Sequence, residues 1–168
     1  MSPDQTTLYH LQLGFFPAYL SAYSIAYSTL PGVALVTKLV NQATSGGSEI
    51  AVSGDGTRVY SGSSAEDEFA VFNAALVQQT SLAAAVFPVS VTTSWNGLVA
   101  GGADKGYDPD NIWIYDSQGN LLEQALSNPS GQNSLTTRSL RFSADGTRLA
   151  NLSDAAGLEI RATPLPPP

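Results

Sequence analysis

The chain has 168 residues, a formal net charge of −7 and a charged share of 12%, about half the usual share of roughly 25%. Seven Lys and Arg are too few to match a phosphate backbone, which sets nucleic acid aside as a partner. The absence of Cys removes disulfides, thiolate nucleophiles and Cys-ligated zinc, and no run approaches the ~20 apolar residues that span a bilayer as a helix.

Polarity comes mainly from Ser, Thr, Gly, Asn and Gln, a mix that favours strands and turns. The first 47 residues read as a degenerate unit. "TTLYHLQLG" (6–14) predicts one strand, the outer member of some sheet. "YLSAYSIAYST" (19–29) alternates like an inner strand, "GVALVTKLV" (32–40) follows as the next, and "NQATSGGS" (41–48) reads as loop. Tyr9, Phe15, Phe16, Tyr19, Tyr23 and Tyr27 supply a core stripe, part of which becomes a docking surface if further units belong beside it.

A repeat begins at residue 48. "VSGDGTRVY" (52–60) and "FSADGTRLA" (142–150) are near copies, and "VSVTTSWNGLVAGGA" (89–103) places Asn96-Gly97 where the others have Asp-Gly. Alternating apolar residues around Asp-Gly or Asn-Gly predict a hairpin, because Gly takes positive φ without a Cβ clash. Gly56, Gly97 and Gly146 stand 41 and 49 positions apart, near the ~40–50 residues of one propeller blade. Each copy continues into a third strand, "FAVFN" (69–73), "IWIYD" (112–116) and "LEIRA" (158–162). These align Phe69, Ile112 and Leu158 on one face, with Val71, Ile114 and Ile160. Two copies add a fourth strand, "LVQQTSL" (76–82) and "LLEQALS" (121–127). The repeats occupy 48–82, 88–127 and 138–163, within a repeat domain of 1–163. Residues 164–168 form a Pro-rich tail or linker, which cannot donate ladder hydrogen bonds.

These units resemble the broad S-x-D-G-[TK] class of WD40-like, YVTN-type and lactonase-like bacterial β-propellers. The resemblance implies an all-β fold, a β-propeller or partial propeller of four-stranded antiparallel meander blades: three clear blades plus the degenerate N-terminal one. The usual Pro of "SPDG" is Gly54 in one copy and Ala144 in another, and no Gly-His or terminal Trp-Asp is present. A two-sheet sandwich with coincidental hairpins is the alternative; similarity across three strands of each unit favours the propeller. Closure has three solutions: strand 6–14 pairs as the missing outer strand of the last blade, the chain is part of a larger ring, or two copies join.

Candidate chemistry is sparse. His10, the one histidine, reads as a structural strand residue, since it lacks the partners of a nucleophilic relay. "GGADKGYDPDN" (101–111) offers Asp104, Asp108 and Asp110 as hard oxygen ligands for calcium, without the EF-hand spacing; ordinary turn chemistry accounts for the same residues. Glu66, Asp67 and Glu68 occupy the equivalent loop of the preceding unit and are expected on the same face. Trp95 sits in a turn where a large ring is not required, so Trp95, with Tyr107, is a candidate contact for a sugar or a protein partner. The sequon at Asn151 falls in a predicted strand and is discounted. The expected function is a non-catalytic binding or assembly module without a cofactor, partnered by protein or by itself through open blade edges. The alternatives are part of a lactonase-like propeller hydrolase and a carbohydrate-binding module.

Overall fold

The computed structural model describes residues 1–12, 17–29, 32–44, 47–63, 67–84, 87–104, 110–126, 135–153 and 157–164. These form four antiparallel sheets. The first holds β1 (Thr7–Gln12), β2 (Ala18–Tyr27) and β3 (Ala34–Thr44); the second holds β4 (Ile50–Val52), β5 (Arg58–Ser63), β6 (Glu68–Asn73) and β7 (Gln78–Ala83). The third holds β8 (Pro88–Thr93), β9 (Val99–Ala103), β10 (Ile112–Tyr115) and β11 (Leu121–Ala125), and the fourth holds β12 (Leu135–Phe142), β13 (Arg148–Ser153) and β14 (Gly157–Ala162). Every sheet is a simple meander in chain order. No helix among the described residues is long and apolar enough to cross a membrane.

The repeated phrase builds one corner. In the second unit Asp55 accepts from the Ser53 hydroxyl (2.6 Å) and from the Thr57 amide (3.0 Å), while the Ser53 hydroxyl accepts from the Arg58 amide (2.9 Å). Gly56 takes φ 74° to close the loop. The fourth unit repeats this with Ser143, Asp145, Thr147 and Arg148, and Asn96 replaces the aspartate in the third, accepting from Ser94. A fourth copy lies at residues 2–7. Asp4 accepts from the Ser2 hydroxyl (2.6 Å) and the Thr6 amide (3.1 Å), and the Thr7 amide donates to Ser2 Oγ (2.9 Å). Gln5 holds the glycine's position at φ 61°.

This corner corrects the reading of the N-terminal unit. β1 follows the corner as β5, β9 and β13 follow theirs, so it is a second strand. It pairs with β2 along Thr7↔Ser24 to Gln12↔Tyr19 and not with β14. Residues 19–29 are accordingly a third strand. β3 runs on to Thr44, so 41–44 are strand and not loop.

The sheets stack face to face. Tyr9, Leu20 and Ala22 of the first unit pack on Val59, Ala70, Phe72 and Leu76 of the second. The other face of the second carries Tyr60, Phe69, Val71 and Leu82, which meet Val91, Val99, Trp113 and Tyr115 of the third. Leu98, Ala100, Ile112 and Ile114, on the far face of the third, meet Leu135, Leu140 and Leu149 of the fourth. Small residues let the sheets approach: a Cβ on Gly101 would strike the Phe69 ring, and one on Gly102 would lie 2.8 Å from a Leu135 methyl. The corners also touch in series. Pro3 lies on Gly56, Gly54 on the Trp95 backbone and Asn96 on Gly146, so the four turns line one side of the arc in sequence order.

The corner carboxylates make stability acid-sensitive. The Ser143 hydroxyl and the Thr147 amide hold Asp145 at about 2; the Ser53 hydroxyl lowers Asp55 and the Ser2 hydroxyl lowers Asp4. Their ordinary value is near 4. A depressed folded-state pKa contributes stability above that ordinary value, and the contribution is lost as pH falls through the folded value. Melting temperature is expected to fall between about pH 4 and about pH 2. A variant combining Ser2→Ala, Ser53→Ala and Ser143→Ala should lose less over that window, which pH-dependent thermal melts would check.

Candidate functional site

Two concavities occur where chemically useful side chains gather. The first, about 490 Å³, lies on the corner side between the second and third units, with Arg58, Tyr60, Trp95, Asn96 and Gln118 among its walls. Trp95 occupies the place that Pro3 holds in the first corner. Trp95 is 71% exposed. A Cβ on Gly54 would come within 3.0 Å of the Trp95 Cα and 3.3 Å of its ring. The missing Pro of the second corner is therefore the space that admits the third corner. Arg58 donates across the cleft to the Ser117 carbonyl. Burial raises the Tyr60 hydroxyl pKa, with the Arg58 hydrogen bond opposing the shift.

The second concavity, about 360 Å³, lies on the inner side of the arc. Its walls are Tyr9, His10 and Leu11 of β1, Ser48, Glu49 and Ile50 at the start of the second unit, and Arg138 and Arg141 of β12. Glu49 is its hub. Glu49 Oε2 accepts from the Ser90 hydroxyl (2.7 Å), the Val91 amide (3.1 Å) and the Arg138 amide (2.9 Å), while Oε1 meets Arg141 at 3.2 Å. One nearly buried carboxylate thus joins the inner edges of three sheets. Ser90 Oγ accepts in turn from the Leu140 amide at 3.3 Å. His10, expected as a structural strand residue, lies on β1 and lines this cavity. It shares the wall with two arginines, a cluster whose members are so far apart in sequence that no local pattern announces it.

No Ser–His–acid relay is assembled there among the described residues. Ser48 turns its hydroxyl to the Pro88 carbonyl at 2.9 Å, and both Glu49 oxygens are occupied as above. At the described ends of the two acidic loops, Asp67 accepts from the Phe87 amide at 3.4 Å, and the Asp104 amide donates to the Phe87 carbonyl at 2.9 Å. Of the calcium candidates, Asp104 and Asp110 are described. Asp108, like the contact candidate Tyr107 and Glu66, lies outside the described residues. Among the described residues no three His, Asp or Glu side chains converge as a metal site. Asn151 is fully buried on β13.

Removing the hub is costly. Glu49→Ala leaves the part-buried Val91 amide and the Ser90 hydroxyl without their acceptor, at a cost on the order of 1–2 kcal/mol, while the exposed Arg138 amide turns to water. Glu49→Gln, which keeps an oxygen, should cost less. Urea denaturation of both variants measures the difference.

No protein-family model matches the chain, and no curated protein matches it. Solved structures do. Hydrazine synthase of Kuenenia stuttgartiensis superposes with a TM-score of 0.68 at 14% identity, over 96% of this chain and 44% of that one. Chaetomium thermophilum Sqt1, bound to the N-terminus of the ribosomal protein L10, gives 0.70 at 19% identity, over 95% and 43%. The dihydro-heme d1 dehydrogenase NirN, in complex with DHE, gives 0.64 at 17% identity, over 96% and 33%. The chain spans less than half the length of each. These neighbours are propeller-like proteins, and the four stacked meanders of this chain form a partial β-propeller.

Proposed function

We propose that this chain is a non-catalytic assembly module whose two end sheets dock onto a second copy of itself. The observation that carries the reading is an inverted sheet. On β14, Glu159 and Arg161 face the third unit, where Arg161 donates to the Leu126 carbonyl at 3.0 Å and stands 3.8 Å from Glu123. The apolar residues of the same strand face outward. Leu158 is 65% and Ile160 64% exposed, joined by Leu152 on β13, which pairs with Leu158. Phe69 and Val71, at the aligned positions of the second unit, are fully buried against the third.

The first unit offers the matching surface. Leu20 and Ala22 of β2 face the second unit, so the alternate residues Tyr19, Tyr23, Ile25 and Tyr27 line the face opposite. Tyr27 is exposed, and the other three are half-buried. Each internal junction of this arc joins these same two sheet faces, so the front of one copy meets the back of another by the same packing. A head-to-tail contact closes into a ring when its rotation permits. Two four-sheet copies supply as many blades as the largest usual propellers, roughly eight. Sqt1 bound to a ribosomal-protein segment supports a protein partner for this shape. Two of the three neighbours carry enzyme names, and a shared fold assigns neither role. Against a lactonase-like hydrolase stands the inner cavity, where Ser48 and Glu49 are committed to structural hydrogen bonds.

Sedimentation velocity of the full chain tests the assembly. The expected result is a concentration-dependent species of twice 17.5 kDa. Leu158→Lys with Ile160→Lys should weaken it at least roughly tenfold, since each large apolar side chain contributes about 1.5–3 kcal/mol on burial. A monomer at every concentration up to about half-millimolar, or a dimer indifferent to both lysines, overturns it.

The corner cleft favours a second reading, a contact site for a sugar or a peptide built on Trp95. Trp95→Ala should leave the melting temperature within a few degrees, because the ring is mostly in solvent, and should abolish any binding seen on a glycan or peptide array. Array binding that survives the substitution rules the cleft out.

A further inference from the structure

The inner cavity supports an inference independent of self-assembly. We propose that it binds a small molecule through an oxyanion group, a carboxylate or a phosphate, held by the guanidinium groups of Arg138 and Arg141 with His10 beside them.

The charge distribution is the first argument. The chain carries −7 overall with seven Lys and Arg and one His, yet two of those arginines and the histidine line this one cavity. Its single carboxylate, Glu49, is already matched by Arg141 and by three further donors. The Arg138 guanidinium has no hydrogen bond or ion pair with any described residue; only its amide is engaged, with Glu49. Among the described residues the cavity therefore keeps an unmatched cation in an otherwise acidic molecule. A planar guanidinium fork suits carboxylate and phosphate oxygens.

Backbone geometry is the second argument. Arg138 adopts φ 66°, a left-handed conformation that Gly or Asn takes at lower cost. It sits where the β12–β13 register breaks, between Leu135 and Leu140. Such irregularities re-aim side chains beside functional sites, and strain of this kind persists where the surroundings fix it. Here the Arg138 amide is fixed by Glu49, and the bulge brings its side chain into the cavity wall.

Size and lining make the third. A volume of about 360 Å³ falls within the ~300–1,000 Å³ of small-molecule pockets. Leu11 and Ile50 give it apolar wall beside the cations. The Tyr9 hydroxyl is spent on the Ala74 carbonyl at 3.1 Å, which leaves its ring to line the space. An organic anion with a short apolar body matches that combination.

The experiment titrates inorganic phosphate and, separately, succinate into the full chain at constant ionic strength, followed by amide NMR shifts. Saturable shifts at His10, Glu49 and Arg138 are expected with at least one anion; succinate alone assigns carboxylates, phosphate alone assigns phosphates, and both together assign the shared oxyanion chemistry. Arg138→Gly should raise the dissociation constant roughly tenfold or more while raising the melting temperature by a few degrees through relief of the positive φ. Arg138→Gln, which keeps the backbone strain, should weaken binding equally without that stabilisation. Arg148→Gln, on the corner outside the cavity, should change neither quantity. Absence of saturable shifts with both anions, or equal affinity in the wild type and both Arg138 variants, overturns the proposal.

Discussion

A meander sheet that is apolar on both faces cannot be stable alone; it must be sandwiched. Everything in this chain follows from that constraint. In the second unit, Phe72 on one face and Phe69 on the other are both fully buried, against different neighbours. The third unit repeats the arrangement with Trp113 and Ile112. At about 1.5–3 kcal/mol for each large side chain buried, two-sided packing is the main term holding the arc together. The twist of each sheet then sets neighbours at an angle and bends the stack round an axis. The first and fourth units inherit the same two-faced strand pattern but, among the described residues, pack on one neighbour each. In the fourth unit the polar pair Glu159 and Arg161 is turned inward and paired, while Leu158 and Ile160 are left outside.

Corners and sheets are coupled. Each S-x-D corner fixes its hairpin by hydrogen bonds to one carboxylate or amide, so its geometry survives substitution at the second position. That position is Pro3, Gly54, Trp95 or Ala144. Because neighbouring corners touch, at Pro3 and Gly54 this position meets the next corner along. Gly54 is small where the Trp95 backbone abuts it. Gly54, which in a single sequence looks like decay of "SPDG", is here a steric complement to the turn beside it.

Much of the fold was legible because its signals are local. Asp-Gly corners with alternating flanks mark hairpins, and the "FAVFN", "IWIYD" and "LEIRA" strands repeat the same facing pattern. The fourth corner was hidden by Gln5, which takes positive φ without the glycine that advertises it. With that corner unread, the strand containing Tyr9 had no anchor for its position in a sheet. Alternation reports that a segment is a strand but not whether it is second or outermost. The exposed place of Trp95 was legible because a large ring in a tight turn has little to pack on. The inner cavity was not. Arg138 meets Glu49 across 89 positions and Arg141 meets it across 92, and His10 arrives from a third unit. Only the curvature of the arc assembles them.

The arc therefore separates its chemistry by direction. Outward along the stack, the unpartnered surfaces are the apolar end sheets, suited to extension by more of the same packing. Inward, toward the axis, the inner strands present polar edges. There Glu49 joins the second, third and fourth units, and the cavity beside it brings in the first through β1. An anion held between Arg138 and His10 would bridge the first and last units at the point where no shared sheet face connects them. Assembly through the end faces and occupancy of the inner cavity thus use different residues and different forces, one apolar and not weakened by ionic screening, the other ionic and screened by salt.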